Sequence, residues 1–133
     1  MAIRITTDVT VVDKSAWVSN PASDQTHTGF ATLRNSSDGD LSCAKVESPD
    51  YHEISIRRTV AGSEPPTTEK VHEITIPAEG EFALDRDGCH LRLERPTHTL
   101  APGDHARLLF FLSDGTILKT RMPLYTTAYG NVD

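Results

Sequence analysis

The chain has 133 residues, with 13 basic against 19 acidic side chains and a formal net charge of −6. That length suits one domain (1–133) around one core. The acidic balance excludes a nucleic-acid-binding surface, which needs a basic stripe, and no run approaches the roughly 20 apolar residues of a membrane-spanning helix, so no membrane insertion is expected.

Met1-Ala2-Ile3-Arg4 leads straight into an alternating strand pattern, without the apolar core or cleavage site of a signal peptide. Such a start fits a cytoplasmic protein or the mature form of a secreted one. From there the punctuation is that of an all-β protein. Turn signals recur at Ser36-Ser37-Asp38-Gly39, Ala61-Gly62, Asp87-Gly88, Pro102-Gly103-Asp104 and Asp114-Gly115. Short runs rich in β-branched and apolar residues lie between them.

In chain order the predicted strands are Thr28 to Arg34, Asp40 to Glu47, His52 to Arg58, Val71 to Pro77 and Cys89 to Glu94. Thr59 to Thr68, with Gly62, Pro65 and Pro66, reads as an exposed loop. The clearest hairpin joins Leu108–Leu112 to Thr116–Leu118 through Ser113-Asp114-Gly115. Asp-Gly there predicts a type I′ turn, whose twist matches the flanking strands. The tail, 125–133, is polar and reads as loose. Nowhere do apolar residues hold helical spacing long enough for a substantial helix. Short strands with turns at this interval imply a Greek-key β-barrel or sandwich of about 7–9 strands.

Cys43 and Cys89 allow one disulfide or two thiols. Period-2 alternation places Cys89 with Leu91 and Leu93 on the core face, and His90, Arg92 and Glu94 on the other. His27, His98 and His105 fall in polar or turn contexts and read as solvated, and Trp17 reads as a core or strand-end plug. Thr28 and Ser42 lack a nucleophile setting, since there is no Gly-x-Ser-x-Gly elbow and no assignable base. Asp85, Asp87 and Glu94 lack Ca²⁺-loop spacing. The chain is therefore not expected to be an enzyme.

Several segments, taken in order, resemble the PCuAC family of periplasmic copper chaperones. They are Asp13-Lys14-Ser15-Ala16-Trp17-Val18, Gly29-Phe30-Ala31-Thr32-Leu33-Arg34-Asn35, Val46-Glu47-Ser48-Pro49 with His52-Glu53, Ile74-Thr75-Ile76-Pro77-Ala78, Gly88-Cys89-His90-Leu91, Leu100 to Asp104, and Phe111 to Gly115. The similarity spans about residues 9–124. It implies a cupredoxin-like fold, a periplasmic or otherwise extracytoplasmic location, a monomer, and a metallochaperone that delivers copper to an acceptor cuproenzyme such as a respiratory oxidase.

The family holds Cu(I) with two histidines and two methionines, soft thioethers being suited to that ion. The resemblance matches the histidines to His52 and His90; His72, which corresponds to no family ligand, is the nearest candidate third ligand by sequence. Its methionine positions fall at Thr68 and Arg92, and neither Met1 nor Met122 replaces them. Residues i and i+2 of a strand lie about 6–7 Å apart. At that distance a guanidinium costs a bound cation on the order of 2–3 kcal/mol per unit charge at an effective dielectric near 20. Loss of the thioethers implies either a switch toward Cu(II), which accepts nitrogen and oxygen donors, or a PCuAC-like module that has lost its metal and serves protein interaction.

Overall fold

The structure is a computed structural model, and it describes residues 4–19, 26–60, 67–86 and 88–125. The Ala61-Gly62 turn, Asp87, the prolines of the 59–68 segment and the tail beyond Tyr125 lie outside the described residues. Among those described there are twelve strands and no helix. The strands are β1 (Arg4–Ile5), β2 (Val9–Val11), β3 (Trp17–Ser19), β4 (Thr26–Asn35), β5 (Leu41–Glu47), β6 (Tyr51–Val60), β7 (Thr67–Lys70), β8 (Ile74–Ile76), β9 (Gly80–Leu84), β10 (Cys89–Pro96), β11 (His105–Leu112) and β12 (Thr116–Tyr125).

Nine of them hydrogen-bond in the order β7-β6-β10-β4-β3-β12-β11-β5-β8, while β1 adds to β12 and β2 and β9 add to β4. All-β architecture is as expected, but the sheet runs from one end strand to another and does not close into a barrel. The strand count exceeds 7–9 because β1, β2, β3 and β7 are too short for a periodicity argument to register. Two ends of the predicted 59–68 loop, Thr59–Val60 and Thr67–Thr68, pair with each other as strand.

Alternation builds the interior. In β11, Ala106, Leu108, Phe110 and Leu112 are buried in turn, and in β10 Leu91 and Leu93 are fully buried. Cys89 packs partly buried against this core, on the face expected for it. Both cysteines are free, so the disulfide alternative is not realised. β4 is the hinge of the topology: its first half pairs with β10 and β3, its second with β2 and β9.

Two polar groups organise the interior ends of strands. Asn35 is fully buried. Its amide donates to the carbonyls of Gly39 and Ile76, and its Oδ1 accepts from the Ser37 amide and hydroxyl, so every polar atom is satisfied. Asp50 is also buried and accepts from the Arg107 backbone amide (2.8 Å), Arg107 Nη2 (2.7 Å) and His98 Nε2 (2.9 Å).

The Leu112–Thr116 connection departs from the predicted type I′ turn. The Gly115 amide donates to the Leu112 carbonyl, and Gly115 alone of the turn adopts positive φ (86°). This is a type I turn closed by a left-handed glycine, the usual three-residue hairpin. Asp114 Oδ1 fixes it by accepting from the Thr116 amide and hydroxyl.

Candidate functional site

The outer face of the β7-β6-β10-β4-β3 region carries His90 and Arg92. Antiparallel register sets His90 directly opposite Arg57, and Arg57 directly opposite Lys70. Paired residues share a face, so Lys70, Arg57 and His90 form one row across three strands. Phe30 follows the Gly29–Leu91 pair on the next strand and is itself paired with Trp17. The row thus continues as two aromatic rings, with centroids 5.0 Å apart; Tyr125 lies 6.1 Å from Trp17 on its other side. Trp17 is half-buried in this cluster, as a strand-end plug would be.

Arg57 lies between β7 and β10. Its Nε donates to Thr68 Oγ1 (3.0 Å) and its Nη2 to the Thr68 carbonyl (3.2 Å). Arg92, two residues along from His90, lies opposite Ser55 and Thr28. It forms a 3.0 Å ion pair with Glu94, but its buried Nε lacks the alignment of a hydrogen bond. His90 is half-buried and its Nδ1 also has no hydrogen-bond partner. Burial is the main cause that lowers the His90 pKa; a Gly88 backbone contact opposes this, Arg57 adds to it, and, more weakly, Asp85 raises and Arg92 lowers it. Beside the ring is a cleft of about 420 Å³ lined by Ser19, Thr28, Phe30, Thr59, Arg86 and His90. A second cleft of about 450 Å³ reaches from Phe30 and Arg86 to Trp17 and Ser15.

The predicted ligands are not brought together. His52 precedes Arg57 by five residues on β6, beyond the Glu53–Glu94 pair. That is roughly 17 Å along the strand at about 3.4 Å per residue. Two imidazoles at that spacing cannot both reach one ion, since each nitrogen must lie about 2.1 Å from it. His72 is exposed in the bend after β7. Among the described residues no three His, Cys, Asp or Glu side chains gather as a metal site.

What does surround His90 is Arg57, with Thr68 beyond it, and Arg92. The two positions matched to methionines thus border this site, whereas His52 does not. Arg57 escaped the sequence reading because motif proximity favoured the Ser-Pro-flanked His52. The cue that finds it is register: counting β6 back from its pairing with β10.

One other expectation for a histidine changes. His27 is buried, not solvated: Leu93 is its pairing partner, and its Nδ1 lies 2.7 Å from Tyr51 Oη with the rings edge to face. His98 is exposed but tied to Asp50, which raises its pKa. His105 is exposed, as expected.

Fold and site together define an all-β PCuAC-type domain whose His90-bearing face carries Arg57 and Arg92 beside the histidine. The chain belongs to the LpqE-like family (lipoprotein LpqE-like), which it matches over residues 9–124. Among solved structures it resembles the copper-bound PCuAC domain from PmoF2, with a TM-score of 0.74 at 13% identity over 96% of this chain and 100% of that one. The apo PCuAC domain from PmoF1 gives 0.73 at 13% identity, over 90% and 95%. The Cu(I)-bound DR1885 of Deinococcus radiodurans gives 0.71 at 24% identity, over 94% and 85%. A comparison with the curated proteins gives no match.

These residues do not fit Cu(I). One imidazole is present, Met122 is fully buried in the core, and around the ring stand the Arg57 and Arg92 guanidiniums, the Thr28 and Thr59 hydroxyls, Phe30 and the Asp85 carboxylate, with no thioether among them. A cation at His90 would lie about 6 Å from Arg57, which costs on the order of 3 kcal/mol at an effective dielectric near 20.

Proposed function

We propose that this domain is a binding module of the PCuAC fold that works through the face around His90 without carrying Cu(I). The observation that supports this is the pairing of Arg57 with His90: the position best placed to supply a second ligand supplies a positive charge instead. The module acts by docking a partner, as a monomer, and performs no chemistry on a substrate. Its membership of a lipoprotein-like family and its likeness to PCuAC domains support a place outside the cytoplasm.

A second reading, a metallochaperone that hands copper to a cuproenzyme, is favoured by the copper-bound state of two similar structures and by His90 with its unpartnered Nδ1. Isothermal titration of the apo-protein with Cu(II), and anaerobically with Cu(I), separates the two. The docking reading expects no stoichiometric binding that depends on His90. A one-to-one site present in the native chain and lost in His90→Ala would overturn it in favour of copper carriage.

A further inference from the structure

We infer that Arg57, His90 and Arg92 form a carboxylate-binding site, the point at which this face grips an acidic group of a partner polypeptide. The inference deepens the docking reading and rests on it.

Three observations point the same way. Lys70, Arg57 and His90 stand in one cross-strand row, with adjacent strands about 4.8 Å apart. Like charges directly opposite one another destabilise a sheet, so the Lys70–Arg57 pair needs a compensating anion, and Arg57 meets no carboxylate within ion-pair distance among the described residues. Its contacts with Thr68 hold the guanidinium by Nε and one terminal nitrogen. The other terminal nitrogen is left to donate. Finally, His90 Nδ1 is buried without a hydrogen bond among the described residues, while Arg92 Nε, two positions along the same strand face, meets Glu94 Oε2 at 3.0 Å without the alignment of a hydrogen bond. Buried polar groups are normally satisfied, and an acceptor that reaches His90 in its Nδ1–H tautomer removes the cost of leaving that nitrogen unpaired.

The charge arithmetic selects a monoanion. Arg92 is already paired with Glu94, which leaves the half-buried Arg57 as the uncompensated centre, and the chain's net charge of −6 repels free polyanions. A planar carboxylate matches a guanidinium edge. The clefts beside His90 are lined by Phe30 and, further along, Trp17, so an apolar body attached to the carboxylate has a surface to lie on. A partner polypeptide supplies that combination, either as a chain terminus or as an acidic side chain beside an apolar one.

The test uses N-acetylphenylalanine as probe and its carboxamide as control, titrated into ¹⁵N-labelled protein while the Arg57 Nε–H, Arg92 Nε–H and His90 ring signals are followed. Saturable shifts of these signals are expected with the acid, with affinity at least about tenfold weaker for the amide. Arg57→Gln should weaken the acid by about tenfold or more, while Arg121→Ala, on the exposed part of β12, should leave it unchanged. Arg57→Lys keeps the charge without the fork and should fall between. Equal shifts with acid and amide, or no saturable shifts, would overturn the inference, as would tighter binding of inorganic phosphate than of the acid. Copper titration stays independent: a chain that binds neither copper nor the acid loses this inference alone, whereas one that binds copper at His90 loses the docking reading as well.

Discussion

Arg57 and His90 face each other across the β6–β10 ladder, so the imidazole that the sequence nominates for copper has a guanidinium as its nearest cross-strand neighbour. This arrangement separates fold from function in the chain. The backbone is that of a PCuAC domain, while the side chains on its outer face suit an anion better than a soft cation.

The ligand set should be recoverable. Arg57→His places a second imidazole opposite His90, while Thr68→Met and Arg92→Met add thioethers at the two flanking positions. The triple variant is expected to bind Cu(I) at least about a hundredfold more tightly than the native chain, because it removes two nearby positive charges and supplies soft donors. Competition against a chromophoric Cu(I) chelator measures this. Equal affinities for the two proteins would show that more than the charge and donor type of these positions has changed.

Asp50 joins the start of β6 to β11 and to the loop after β10. The Arg107 side-chain hydrogen bond is the main cause that holds its carboxyl well below the usual range, against the opposing effect of burial. A depressed folded pKa means that its stabilisation is present above the unfolded value of about 3.9 and is lost as pH falls through the folded value. Arg107→Ala should therefore lower stability at neutral pH and move acid unfolding to higher pH. Asp50→Ala should cost about 1–2 kcal/mol, because it leaves the Arg107 backbone amide without its acceptor while the exposed Arg107 and His98 side chains return to water. Denaturant melts across the acid range check both; an unchanged acid midpoint in Arg107→Ala would remove Asp50 from the account.

His98 behaves in the opposite sense. Its hydrogen bond to Asp50 raises its pKa. Its contribution is therefore fully present below about 6.5, the unfolded value, and is lost as pH rises through the higher folded value. Since the ring is exposed, the effect is small. His98→Ala should flatten the slight loss of stability across that window and leave the acid limb intact, as read from thermal midpoints at matched ionic strength.

The His27–Tyr51 pair is a buried polar contact in an otherwise apolar layer. Tyr51→Phe deletes the hydroxyl and leaves His27 Nδ1 with one partner fewer, at an expected cost of about 1–2 kcal/mol. Burial pushes the Tyr51 phenol well above its ordinary pKa. Ultraviolet titration should accordingly show one tyrosine that ionises only on unfolding.

Cys43 and Cys89 should differ in reactivity. Cys43 is buried, donates weakly to the Lys45 carbonyl and has its pKa raised by burial, which suppresses the thiolate. Cys89 is partly exposed. A thiol reagent should label Cys89 in the native protein and Cys43 only with global unfolding; mass spectrometry of the singly labelled chain identifies the site.

The all-β class, the main strands and the family resemblance were legible in the sequence, because alternation and turn residues are local signals that each strand carries by itself. Cys89 on the core face and His90 on the outer face followed from the same period of two. His27 was misjudged because its neighbours in sequence are polar, while its neighbours in space are Leu93 and Tyr51. That Arg57 and not His52 pairs with His90 was hidden for the same physical reason. Whether His52 or Arg57 stands opposite His90 is a matter of register between two strands more than thirty residues apart, and register is decided by which side chains the whole sheet can bury together. Residue type and order nominated the histidines; the cross-strand pairing of β6 with β10, visible only in the tertiary structure, assigned His90 two arginines for company.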